Sequence, residues 1–240
     1  MKQRANYGID APGVVRGLLG IGVALAVAAA GAALFAKPGT LSETLAPNLG
    51  ITAFFMLLSG GVMIWSSLFG KMFVRDKLVK ALALTGTEQV LDAGCGRGLA
   101  LIGCAKKLTT GKAIGIDLWS AKDLSNNNPD ATRANAVAEG VADRIDVQTG
   151  DITKLPFADA SFDAIISMTV IHNIPSREGR DQALRELVRV LKPGGRMAIF
   201  DIQHPYRYMK VLRDAGLDVQ SLDRSFIWFQ FARSLLARKS

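Results

Sequence analysis

The chain has 240 residues, 49% of them hydrophobic, a mean hydropathy of +0.22 and a formal net charge of +8. That length holds one sizeable core, or a smaller domain plus an anchor. Two cysteines, Cys95 and Cys104, and two histidines exclude a disulfide framework and a Cys/His metal cluster, so no metal site is expected. No Lys/Arg run resembles a nucleic-acid arm. Lys2, Arg4, Arg16, Lys71, Arg75, Lys77 and Lys80 instead flank apolar segments, which points to a membrane surface and not to nucleic acid.

Two uncharged apolar segments open the chain, Gly17–Phe35 and Leu49–Phe69. Each has about the 20 residues that cross a bilayer core. The polar stretch KPGTLSETLAPN between them makes the pair a hairpin, so residues 1–70 read as a membrane anchor. Positive charges before the first segment and after the second place both flanks in the cytoplasm, at the cell membrane. Two other readings stand: a cleaved signal peptide for the first segment, and buried core helices for both. Gly20, Gly22, Gly31, Gly60 and Gly61 are small enough for close helix contact. A homo-oligomer is compatible with the spans but not required by them.

From Met72 to Leu84, apolar residues recur at helical spacing beside a basic face. That face suits lipid headgroups, and the apolar stripe suits a sheet; the second task is expected to dominate. From Gln89 short apolar strands alternate with helical stretches: QVLDAG, KAIGIDLW, IDVQTGD, FDAIISMTV and RMAIFDI, with helices near 100–108, 130–139 and 177–191. This alternation implies α/β architecture, a doubly wound parallel sheet over residues 71–240. LKPGG is read as the stop of the last helix. The tail 217–239 holds a further strand pair, with Phe226, Trp228 and Phe229 as core.

The segment VLDAGCGRG, Val90 to Gly98, puts a glycine-rich turn after an apolar strand and before a helix. Gly94, Gly96 and Gly98 let a ligand approach the backbone. The spacing is G-x-G-x-G behind Asp92; the dinucleotide fingerprint needs glycine where Leu99 stands. Asp117 ends the second strand, where a doubly wound sheet faces a ribose. Asp151 ends the third, where a carboxylate can accept from an adenine amino group, with Ile152 and Trp119 offering apolar surface. Each Asp alone is equally well a helix cap or turn residue. Cys95 reads as a small filler, and Arg97 as solvated or as a partner for a ligand carboxylate.

Together, VLDAGCGRG, GIDLW, GDITKLPF, SFDAIIS and RVLKPGG resemble the class I S-adenosylmethionine-dependent methyltransferases, especially the small-molecule branch that includes the ubiquinone and menaquinone biosynthesis enzymes. The resemblance runs from about Val74 onward and leaves out the hairpin. It implies a Rossmann-like sheet of seven strands, the last antiparallel, and S-adenosyl-L-methionine as cofactor. The cofactor set it implies is Asp92, Gly94, Cys95, Gly96, Gly98, Asp117, Leu118, Trp119, Asp151, Ile152 and Ser167. The chain has SMTVIHNI after the fourth strand in place of NPPY, which argues against nucleic-acid bases as acceptors. His172, in that segment, is a candidate base or orienting group, or a histidine packed over the cofactor. His204 in DIQHPYRY is a second candidate. The expected function is methylation of a small, hydrophobic acceptor at the bilayer. A membrane-tethered binding protein without catalysis and a nicotinamide-dependent oxidoreductase are the alternatives.

Overall fold

The computed structural model describes residues 5–224 and 232–240. Lys2, Arg4, Phe226, Trp228 and Phe229, named above, lie outside the described residues. The chain divides into two units: residues 9–68 with 122–125 form one, and 5–8, 69–121, 126–224 and 232–240 form the other. The expected boundary at residue 70 assigns residues 5–8 to the anchor; their contacts assign them to the second unit.

The first unit holds α1 (Pro12–Leu34) and α2 (Leu41–Trp65), followed by a π-helical turn, Ser66–Gly70. Both helices begin earlier than the apolar runs. Proline at the start of α1 removes an N–H that would have had no partner there. Thr40-x-x-Glu43 has the sequence of a capping box ahead of α2, but the box does not form: Thr40 Oγ1 donates to Lys37 O at 2.6 Å, and Glu43 Oε2 accepts the Gly39 amide at 2.7 Å. Gly22 and Gly60 make the close helix contact: added Cβ atoms would lie 2.8 Å from Leu57 Cγ and 2.7 Å from Leu19 Cδ2. Gly20, Gly31 and Gly61 meet nothing within 4 Å. Both helices are long and apolar enough to cross a membrane. In their most apolar windows only 6% and 17% of residues are buried, which does not fit the core-helix reading. Val27, Phe54 and Phe55 are each more than half exposed. Residues 122–125 join this unit through an antiparallel bridge, Asp10 to Leu124.

The second unit is a seven-stranded sheet in the order β3-β2-β1-β4-β5-β7-β6. Its strands are β1 (Gln89–Ala93), β2 (Lys112–Asp117), β3 (Ile145–Thr149), β4 (Phe162–Met168), β5 (Leu191–Asp201), β6 (Leu217–Arg224) and β7 (Arg233–Lys239). The first five pair in parallel, and β7 runs antiparallel to both β5 and β6. The order reverses between β1 and β4, the crevice where ligands bind in such sheets.

Alternate residues of the strands feed two cores. Val90, Ala164, Ile166, Ala198 and Phe200 pack with α3 (Lys71–Leu82), α4 (Leu99–Ala105) and α5 (Pro129–Ala138). Leu91, Ala93, Ile165, Met197 and Ile199 pack with α6 (Arg177–Val190) and α7 (Pro205–Asp214). Val74, Leu78, Val79 and Leu82 bury the stripe of α3, so sheet packing is that helix's task. LKPGG is not a helix stop: α6 ends at Val190, and Leu191 to Gly195 already belong to β5. The helix α7 was not expected. Its apolar positions Tyr208, Val211 and Leu212 follow helical spacing, behind proline at the first turn.

Candidate active site

The glycine turn after β1 is a built structure. Gly94, Gly96 and Gly98 have φ of 81°, 50° and 84°, the region that glycine tolerates. A Cβ on Gly94 would lie 2.3 Å from Val170 Cγ1, and one on Gly98 2.8 Å from Thr132 Cγ2. The first contact brings the turn against the segment after β4 that carries His172. The Gly94 and Cys95 amides donate to Ile116 O at 2.8 and 3.1 Å, and Gly98 donates to Cys95 O at 2.8 Å. The Cys95 side chain is buried against Gly115 of β2, and burial raises its thiol pKa well above the usual value. It is a filler under the turn.

Asp92 is 1% exposed, and neither of its carboxylate oxygens has a hydrogen-bond partner. Burial pushes its pKa up to about 8; the Leu101 amide, near the carboxylate but outside hydrogen-bond geometry, opposes this only in part, and the Asp117 charge adds to the rise. A buried carboxylate without donors is costly, and a cationic group beside it removes most of that cost. The amino-acid end of S-adenosylmethionine carries such an ammonium.

Asp117 closes the turn from the side. Its Oδ2 accepts the Gly96 amide at 2.8 Å; its Oδ1 accepts the Trp119 amide at 2.6 Å and Asn127 Nδ2 at 3.2 Å. Three of about four lone-pair sites are therefore filled, so holding both hydroxyls of a ribose requires one donor to leave. Asn127 makes the longest of the three contacts. Its own Oδ1 is buried and lacks a partner, so it can accept a hydroxyl in turn. Trp119 donates Nε1 to Thr149 Oγ1 at 2.8 Å, which pins the indole across the end of β3. Asp151 is exposed and accepts the Thr153 amide at 2.8 Å. Leu118 is 64% exposed, while Ile152 is buried in the core under α6 and α7. Ser167 is buried and donates to Ala93 O at 2.8 Å, tying β4 to β1. Its hydroxyl is spent within the sheet.

His172 lies in the turn after β4, its Nδ1 2.5 Å from Asp201 Oδ1 at the end of β5. Asp201 is 1% exposed and also accepts the His172 amide at 3.1 Å and the Tyr208 hydroxyl at 3.4 Å. The carboxylate cannot donate, so in the neutral ring Nδ1 carries the proton and Nε2 presents a lone pair. Nε2 has no partner among the described residues. That is the arrangement of an oriented general base. His204 differs: it is exposed at the start of α7, and no carboxylate holds its ring among the described residues.

Trp119, Thr169 and His204 have φ of 62°, 57° and 59°, unusual for residues with a Cβ. Each follows the carboxyl end of a parallel strand, β2, β4 or β5 respectively. Among the described residues, these three of seven non-glycine residues with positive φ lie along the edge that carries the glycine turn and His172. Asn127 and Asn135 escaped the sequence reading, and Asp201 entered it only as a neighbour of His204. No short motif marks any of the three. Among the described residues no His/Cys/Asp/Glu group is fit to hold a metal.

The family described as "Methyltransferase domain" matches residues 91–199. "Methyltransferase GfsG" of Streptomyces halstedii is 36% identical over 127 residues, which are 53% of this chain and 42% of that protein. A "Demethylmenaquinone methyltransferase" of Lactiplantibacillus plantarum is 34% identical over 132 residues, 55% of this chain and 52% of that protein. The chain spans about half the length of the curated relatives it matches. The crystal structure of a SAM-dependent methyltransferase from Aquifex aeolicus shares the fold, with a TM-score of 0.56 at 22% identity over 69% of this chain and 89% of that one. The glycine turn, the orphaned Asp92 carboxylate and the capped Asp117 all fall in or beside the matched segment. Residues 91–199 are thus similar to the methyltransferase-domain family, and the seven-stranded sheet has the Rossmann-like fold of such enzymes.

Proposed function

We propose that the chain is a membrane-anchored methyltransferase that transfers the methyl group of S-adenosylmethionine to a small, lipophilic acceptor. The observation that carries the catalytic reading is the His172–Asp201 pair beside the glycine turn. The cofactor, when bound, supplies an electrophilic methyl on a sulfonium. The protein's own contribution is alignment and proton removal. Asp92, the turn and Asp117 hold the amino-acid and ribose ends; Trp119 and Asp151 border the place for the adenine. His172 Nε2 takes the proton of an acceptor hydroxyl, and Asp201 holds the ring and stabilises the imidazolium. The alternative, a tethered cofactor-binding protein without catalysis, leaves that pair without a role.

The apolar faces of α1 and α2 support the anchor and, with it, an acceptor that partitions into lipid. Positive residues on both flanks of the helix pair support a cytoplasmic active site. Two measurements test this reading. The full chain is expected to float with liposomes after an alkaline carbonate wash. The labelled methyl group is expected to pass to lipid-extractable acceptors such as hydroxylated quinone precursors. Release by carbonate, or transfer to water-soluble acceptors only, would contradict the anchor and the acceptor class respectively.

A further inference from the structure

Residues 5–8 precede the first apolar helix in sequence, yet they are built into the methyltransferase unit. The Asn6 amide donates to Asn135 Oδ1 at 2.8 Å, and Asn135 Nδ2 donates back to Asn6 O at 2.9 Å. The same Nδ2 donates to Arg97 O at 2.9 Å, in the glycine turn. One side-chain amide on α5, 5% exposed, therefore joins the segment to the turn. One helical turn away on α5, Thr132 Oγ1 donates to Gly96 O at 2.6 Å. The two carbonyls at the tip of the turn are thus held by this face of α5, one of them by a residue that residues 5–8 position.

The segment is fixed at more than this point. Lys71 Nζ, on a side chain buried at 3% exposure, donates to Tyr7 O at 2.9 Å and to Gly8 O at 2.8 Å. Tyr7 is buried at 6% exposure, and its hydroxyl donates to Glu139 at the end of α5. Asn6 Oδ1 accepts the Gly8 amide at 3.0 Å.

We propose that residues 5–8 belong to the cofactor-binding machinery: acting through Asn135, they fix the glycine turn, and S-adenosylmethionine affinity depends on them. Asn6 and Asn135 are positioning residues in this account, which rests on the cofactor reading above. If the segment stabilises the turn in its binding form, linkage requires that cofactor binding stabilise the segment in return.

The test uses the full chain in detergent, with S-adenosylhomocysteine as probe. Asn6→Pro removes the amide that Asn135 accepts, and Asn135→Ala removes the bridge. Each is expected to raise the Kd roughly tenfold, as loss of a buried hydrogen-bond partner implies. Asn6→Ala keeps the amide and is expected to recover most of the affinity. Hydrogen exchange on the unaltered protein gives a readout that needs no variant. S-adenosylhomocysteine is expected to slow exchange at residues 6–8 together with 94–98. Equal affinity in all variants, or protection confined to 94–98, would overturn the proposal. Absence of binding by the unaltered protein would overturn the cofactor reading as well.

Discussion

Replacing His172 with alanine is expected to lower the rate of methyl transfer to a hydroxyl acceptor by roughly 10²–10⁴-fold, the usual contribution of a positioned base. S-adenosylhomocysteine affinity should stay near that of the unaltered protein, because in the proposed mechanism His172 acts on the acceptor and not on the cofactor. Asp201→Asn should reach a similar loss by another route. An amide in place of the carboxylate can donate to Nδ1, which favours the tautomer with the proton on Nε2, and that tautomer cannot accept a proton from the acceptor. Steady-state rates and calorimetric affinity on the same preparations check both parts. A His172→Ala rate within about threefold of the unaltered enzyme would remove the base from the mechanism, since a real base contributes far more.

Asp92→Asn is expected to stabilise the ligand-free protein while weakening cofactor binding. The direction follows from the raised pKa. Burial lifts Asp92 from an ordinary 3.8 to about 8 in the folded chain, so folding favours its protonated form. The associated stability is present in full below the unfolded pKa and is lost as the pH rises through about 8. The thermal midpoint of the ligand-free protein should therefore fall between about pH 5 and pH 8. In Asp92→Asn that fall should flatten, with a gain on the order of 2 kcal/mol at the alkaline end, worth several degrees in a chain this size. Cofactor affinity should show the opposite slope in the unaltered protein, because the ligand's ammonium prefers the ionised carboxylate. Thermal scans with and without S-adenosylhomocysteine across this range check both. A midpoint that rises with pH in the ligand-free protein would contradict the placement of Asp92.

The parallel sheet and the glycine turn were legible because their signals are local. An apolar run followed by G-x-G-x-G names both a strand and the turn that ends it, and Asp117 stands at the close of the next strand. The α7 helix was missed because DIQHPYRY was read only for His204, although Tyr208, Val211 and Leu212 carry the helical period. The His172–Asp201 pair could not be read locally. The two residues are 29 positions apart and meet because β4 and β5 run side by side, with Met168 opposite Phe200. The role of residues 5–8 was further out of reach. Their link to Asn135 spans 129 positions and depends on the backbone groups of Asn6, which carry no sequence signature. The apolar runs marked the two helices of the first unit, but the helices extend beyond them, beginning at Pro12 and Leu41.

The most direct test of the account is calorimetric binding of S-adenosylhomocysteine to the full chain in detergent, beside NADH and the Asp117→Ala variant. Micromolar binding of S-adenosylhomocysteine, none of NADH, and loss of affinity in Asp117→Ala are the predicted results. Failure to bind S-adenosylhomocysteine, or equal binding by Asp117→Ala, would contradict the cofactor site described for the glycine turn and Asp117.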